Sequence, residues 1–159
     1  MDRDAIMNAW PVSASCSGRS RTSATSGPSR SSSAVRSPTD VDPGPACAGA
    51  ELLRELPRSA QRSVLLCTDL HAENVLSAQR EPWLVIDPKP LVGDPAFDPV
   101  QHMPNCKQRL LADPAGLAAR MADLCHIDPE RVRLWLFARC AQESSNDHTL
   151  HDVALRLAP

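Results

Sequence analysis

Tyrosine is absent from this 159-residue chain and aromatics make up only 3% of it, so large anchoring side chains are scarce. Lysine is nearly absent too, with Lys89 and Lys107 the only two. Arginine supplies the other strong cations. The net charge of −2 gives no electrostatic reason to expect nucleic acid or an anionic membrane as a partner. No apolar run approaches the roughly eighteen residues that a membrane helix needs. The segment after Met1 carries early acidic residues and no continuous apolar stretch, so no secretory signal is expected. Cys16, Cys47, Cys67, Cys106, Cys125 and Cys140 include no Cys-x-x-Cys pair. Free thiols in a reducing, cytoplasmic setting are the expectation. A zinc site drawn from Cys67, His71, Cys106, Cys125 and His126 matches no standard ligand spacing.

What the chain does contain changes texture near residue 50. Residues 11–50 are dominated by Ser, Arg, Pro, Ala and Gly, with Ser31-Ser32-Ser33 and a Pro43-Gly44-Pro45 turn. Neither a helical nor a strand period is visible there. Such a segment buries too little apolar surface to offset its ordering entropy, so residues 1–50 are expected to be disordered or unrelated to the domain that follows. A basic, phosphorylatable arm is disfavoured because Arg19, Arg21, Arg30 and Arg36 are dilute. An out-of-frame or truncated reading upstream of a real domain is the third possibility.

Residues 51–159 are patterned. Glu51–Leu56 reads as a short amphipathic helix stopped by Pro57. Val64–Cys67, Asn74–Ser77 and Trp83–Asp87 are apolar runs of strand length, the last two joined by a polar turn. The remainder reads as helical. Pro99 and Pro104 interrupt a helix over 95–106, and Pro104 predicts a break. Asp113-Pro114 and Asp128-Pro129 each pair an N-cap carboxylate with a proline at the first helical position. Val132, Trp135, Leu136 and Arg139 share one helical face, and a last helix covers Thr149–Leu157. A small sheet followed by helices is an α+β layout.

The chemistry concentrates in Asp69-Leu70-His71-Ala72-Glu73-Asn74 and in Asp87, thirteen positions after Asn74. Phosphoryl transfer asks a protein chiefly for positioning and for neutralisation of a polyphosphate. Asp69 directly follows an apolar strand, where a loop can present a carboxylate to an acceptor hydroxyl. Asn74 offers a neutral amide oxygen and Asp87 a carboxylate, both hard oxygen ligands suited to magnesium. A hairpin from Asn74 to Asp87 brings those two side by side. Taken singly, each residue has a plainer reading: Asp69 as a turn or cap, Asn74 as a loop bend, Asp87 as a strand end. His71 either approaches substrate or bonds the loop backbone, and the chemistry itself needs no imidazole. Glu143 and Asp147 either face a cationic ligand or end a solvated helix.

The run Cys67-Thr68-Asp69-Leu70-His71-Ala72-Glu73-Asn74-Val75-Leu76 resembles the catalytic loop of the aminoglycoside phosphotransferase superfamily. The string Arg80-Glu81-Pro82-Trp83-Leu84-Val85-Ile86-Asp87-Pro88-Lys89-Pro90, with Val92-Gly93-Asp94-Pro95-Ala96-Phe97-Asp98, is similar to the aminoglycoside/hydroxyurea antibiotic-resistance kinases. Helical matter to Pro159, including Leu134–Cys140, fits the same family. The resemblance implies the C-terminal lobe of a protein-kinase-like fold, a small β-hairpin unit plus helices, with the catalytic loop at 67–76 and the metal-binding segment at 83–98. It implies Asp69 as the catalytic carboxylate, Asn74 and Asp87 as magnesium ligands, and His71 and Asp94 as supports of the active-site loop. Asp98 is expected to interact with the dipole of the first helical turn. Mg2+ and ATP are implied as cofactor and co-substrate. The implied acceptor is a hydroxyl of a small molecule, such as the aminoglycoside streptomycin.

Two departures stand out. Cys67-Thr68 replaces the His-Gly that many superfamily members carry before the catalytic Asp. The N-lobe that binds nucleotide is also expected to be missing, because residues 1–50 contain no lysine and leave no room for it. The isolated chain is therefore expected to show little kinase activity. The alternative function is an inactive kinase remnant or binding module. A metal-assisted hydrolase built on Asp69 and Asp87 lacks a third ligand.

Overall fold

The computed structural model describes residues 44–159. The expectations for residues 1–43 lie outside the described residues. Helix α1 spans Gly44–Glu55, and four short strands follow: β1 (Val64–Leu66), β2 (Val75–Ser77), β3 (Trp83–Val85) and β4 (Leu91–Gly93). Helices α2 (Phe97–His102), α3 (Lys107–Ala112), α4 (Pro114–Cys125), α5 (Pro129–Glu143) and α6 (His148–Leu157) complete the described chain. One-turn 3-10 helices cover Ala72–Asn74 and Met103–Asn105. The second of these falls at Pro104, where a break was expected. The class is α+β.

The strands form two separate antiparallel pairs rather than one three-stranded unit. β2 and β3 make the expected hairpin, with Val75 opposite Val85 and Ser77 opposite Trp83. β1 instead pairs with β4, placing Val64 opposite Gly93 and Leu66 opposite Leu91. β4 was not expected, because three residues between Pro90 and Asp94 show no usable alternation. Its partner lies about 25 residues earlier, a long-range choice that local pattern does not carry.

Helix α5 is the axis of the core. Val132, Trp135, Leu136, Phe137 and Cys140 are buried on it, as are Leu150, Val153, Ala154 and Leu157 on α6. Arg139, expected on the same face, is only partly covered and pairs with Glu143 at 2.7 Å. Helix α1 begins at Gly44, well before the expected Glu51. Pro45 suits its first turn, where an N–H would have no partner. The tight approach to α5 explains Gly49: a Cβ there would sit 2.6 Å from Ala141 Cβ. The caps follow the sequence closely. Asp113 accepts from the Gly116 N–H at 2.9 Å and Asp128 from the Glu130 N–H at 3.1 Å. Asp147 caps α6 by accepting from the Thr149 N–H at 3.0 Å. It also pairs with Lys107 at 2.7 Å.

One buried polar node ties the strands to this helical body. Asp94, at the end of β4, is the buried charged residue among the described residues. Its Oδ2 receives Arg131 Nε at 2.6 Å and Trp135 Nε1 at 2.7 Å, both from α5. Arg131 also donates to the Leu56 carbonyl at the end of α1, at 2.5 Å. Cys67, Cys106, Cys125 and Cys140 are free thiols. No described helix is long and apolar enough to cross a membrane.

Candidate active site

The loop after β1 opens with a strained turn. Thr68 has φ of 55°, in the left-handed region that a β-branched residue rarely adopts. Four bonds hold it there. Asp98 on α2 takes the Cys67 N–H at 2.7 Å and the Thr68 N–H at 2.9 Å, one on each carboxylate oxygen. Thr68 Oγ1 donates to the Lys89 carbonyl at 2.7 Å, and the Lys89 N–H donates to the Cys67 carbonyl at 3.0 Å. The next residue is Asp69. Its presentation is therefore set by a helix-borne carboxylate about thirty residues downstream, and Asp98 serves this loop as well as any helix dipole.

Asp69 is partly exposed, with 35% of its side chain open to solvent. That leaves it reachable by a ligand. Lys89 Nζ lies 2.5 Å from its Oδ2, and His71 Nε2 lies 3.4 Å from its Oδ1. The hydrogen bond and charge of Lys89 hold the Asp69 carboxyl below the usual range, and Asp69 in turn raises the Lys89 ammonium. Asp69 is thus a carboxylate, able to accept but not to donate.

Asn74 closes the loop onto its beginning. Its Nδ2 donates to the Asp69 carbonyl at 2.9 Å and lies 3.2 Å from His71 Nε2. The carbonyl bond fixes which end of the amide is nitrogen, and that nitrogen is the end next to His71 Nε2. His71 therefore sits within the loop against both Asp69 and Asn74, with its Nδ1 3.8 Å from Glu73. The Asn74 carboxamide oxygen is left to face elsewhere. Asn74 also accepts the Ile86 N–H through its main-chain carbonyl at 2.9 Å, which holds the residue before Asp87 against it. Asp87 has φ of 48° and an exposed side chain, and no hydrogen bond or ion pair engages its carboxylate among the described residues. One free amide oxygen and one free carboxylate, tethered by a hairpin, fit the donor set that magnesium takes. Among the described residues no three His, Cys, Asp or Glu side chains stand together as a metal cluster.

Asp94 is brought near but not in. Both its oxygens are occupied, Oδ2 by Arg131 and Trp135 and Oδ1 by the Ala96 N–H at 3.0 Å. Through these three bonds it braces the segment after β4. Beside it, a cavity of about 460 Å3 is lined by Leu66, Thr68, Lys89, Leu91, Phe97 and Trp135 among others. Phe97 and Trp135 meet edge to face there, with ring centroids 5.2 Å apart. Cys67, next to the catalytic loop, and Cys140, in the core, are not activated as nucleophiles. Burial, then Asp98, pushes the Cys67 thiol up, and burial pushes Cys140 up to about 12. Asp147 is engaged by its cap bonds and by Lys107. Sequence reasoning overlooked Lys89 and the loop-bracing role of Asp98. The only local signal for Lys89 is its place two residues after Asp87.

Relatives with recorded activities share this segment. The chain is 41% identical over 97 residues to a streptomycin 6-kinase of Streptomyces griseus, covering 57% of this chain and 31% of that protein. It is 43% identical over 82 residues to a hydroxyurea phosphotransferase of Kitasatospora aureofaciens, covering 49% of this chain and 22% of the relative. A streptomycin 6-kinase of Streptomyces glaucescens is 38% identical over 101 residues, or 60% of this chain and 32% of its own. The class common to all three is small-molecule phosphotransferase. Residues 23–148 match the family described as aminoglycoside/hydroxyurea antibiotic resistance kinase, and the chain belongs to that family. It spans less than a third of the length of each of these relatives. No solved structure matches it.

Proposed function

We propose that this chain carries the catalytic and metal-holding part of an ATP-dependent phosphotransferase whose acceptor is an alcohol group of a small molecule, an aminoglycoside such as streptomycin. Residues 51–159 would be the C-lobe of a protein-kinase-like fold, acting in the cytoplasm. The observation that carries the reading is the closure of the Asp69–Asn74 loop onto the hairpin that ends at Asp87. Asp69, held as a carboxylate, accepts the hydrogen bond of the acceptor hydroxyl and aims its oxygen. The Asn74 carboxamide oxygen and the Asp87 carboxylate would hold Mg2+. That ion supplies charge neutralisation on the polyphosphate. His71 keeps Asn74 oriented, and Asp94 keeps the following segment docked on α5.

Thermal unfolding of the purified chain with and without Mg·ATP tests this. A ligand present at a hundredfold excess over its Kd stabilises by about 2.7 kcal/mol. The expected result is a rise in Tm with Mg·ATP that Asp87→Asn and Asn74→Ala each abolish. No rise in the parent chain would reject it. An inactive remnant or binding module is the second reading. It draws on the outward apolar faces of Leu65, Trp83 and Val92, which the described chain leaves uncovered. That reading expects no nucleotide-dependent change at all.

A further inference from the structure

Lys89 has been given no contact with substrate, yet it is the cation closest to Asp69. The contact is not a chance meeting of two long surface side chains. Lys89 is bonded through both its main-chain N–H and its carbonyl to Cys67 and Thr68, the two residues before Asp69. Only the flexible stem of the lysine is left to move. The side chains are 65% and 35% exposed, and an ion pair so exposed adds little stability. Stability therefore does not account for placing one of only two lysines here. The other, Lys107, is held by Asp147 on α6.

We propose that Lys89 is a catalytic residue, an ammonium that bridges Asp69 and the terminal phosphoryl group as it is transferred. The proposal rests on the phosphotransferase reading. During transfer the acceptor hydroxyl lies between two negative groups, the Asp69 carboxylate and the phosphoryl oxygens. A cation shared by both removes the repulsion that would otherwise push them apart. An ammonium has three donors and can keep one on Asp69 Oδ2 while offering the others to non-bridging phosphoryl oxygens. The acceptor oxygen forms its bond to the γ-phosphorus. The bond from that phosphorus to the β–γ bridging oxygen breaks, and ADP leaves with the electron pair. The hydroxyl proton goes to Asp69 on Oδ1, because Oδ2 is covered by Lys89. Lys89 keeps its protons throughout and contributes charge alone.

The test uses this chain, Mg2+ and inorganic tripolyphosphate as the probe, with binding followed by 31P and Lys Nζ 15N resonances. Lys89→Met is expected to weaken Mg·tripolyphosphate binding about tenfold, the scale of one lost charge-assisted contact, and Lys89→Arg to restore part of it. Mg2+ alone should bind Lys89→Met no more weakly than the parent, since a positive charge near Asp87 has been removed. Unchanged melting of both variants would exclude a folding defect. Equal Mg·tripolyphosphate affinity in the parent and Lys89→Met would overturn the role of Lys89 while leaving the phosphotransferase reading standing. Absence of binding to the parent would overturn both.

Discussion

Phe137 on α5 is 1% exposed, whereas Trp83 on β3, a larger side chain, is 69% exposed. That contrast runs through the molecule. The helices bury their apolar stripes against one another around α5. The strands show Leu65, Leu76, Leu84 and Val92 to solvent. The helical half is held by burial. The strand half is held by short ladders, by the Asp98 bonds to two amides, and by the Asp94–Arg131–Trp135 node. Every residue proposed to touch substrate or metal sits on the second half. The pattern suits a site whose groups must be reachable and finely placed, with a stiff helical body behind it supplying the anchorage.

The sharpest way to break this contrast is to truncate one aromatic in each half. Phe137→Ala should cost about 3–5 kcal/mol in denaturant unfolding, through lost burial and the cavity left behind. Trp83→Ala should stay within about 0.5 kcal/mol. Comparable losses at the two positions would mean that the strand face is covered in solution. A smaller effect probes the α1–α5 contact. Gly49→Ala pushes a methyl against Ala141, 2.6 Å away on the partner helix, and should destabilise by about 1–3 kcal/mol. An unchanged Tm would mean that α1 is not seated on α5. The smallest expected effect is electrostatic. Lys107, then the bonds from Thr149, lowers the Asp147 carboxyl to about 2. A depressed carboxyl gives its stabilisation in full above the unfolded value near 3.8 and loses it as pH falls toward 2. An NMR titration of Asp147 should find its midpoint well below that of an ordinary aspartate, and Lys107→Met should raise it.

Much of this architecture was legible in the sequence where the cause is local. Asp-Pro at 113–114 and 128–129 announced two helix starts, because an N-cap and a pre-set φ act within three residues. The Asn74-to-Asp87 hairpin was legible for the same reason. The rest depends on distant partners. Pro43-Gly44-Pro45 read as a turn, yet α1 starts inside it because Gly49 can dock on α5. Asp98 read as a helix-dipole residue, but its amide partners lie about thirty positions earlier. Asp147 read as either a ligand contact or a solvated helix end; it is the N-cap of α6, and only its pairing with Lys107, 40 positions away, was out of reach of local pattern. Of the site, Asp69, Asn74 and Asp87 were legible as a spacing. Lys89 was not, because nothing local says that its stem turns back to Asp69.

Thr68 and Asp87 share one property that bears on how such a chain can change. Each holds a left-handed backbone without being glycine, a posture that costs on the order of 1–3 kcal/mol. Glycine at position 68 would relieve that cost but delete the hydroxyl that tethers the loop to Lys89. Variants chosen only for heat resistance would therefore drift toward glycine there and lose loop definition. Endurance and aim pull this one residue in opposite directions.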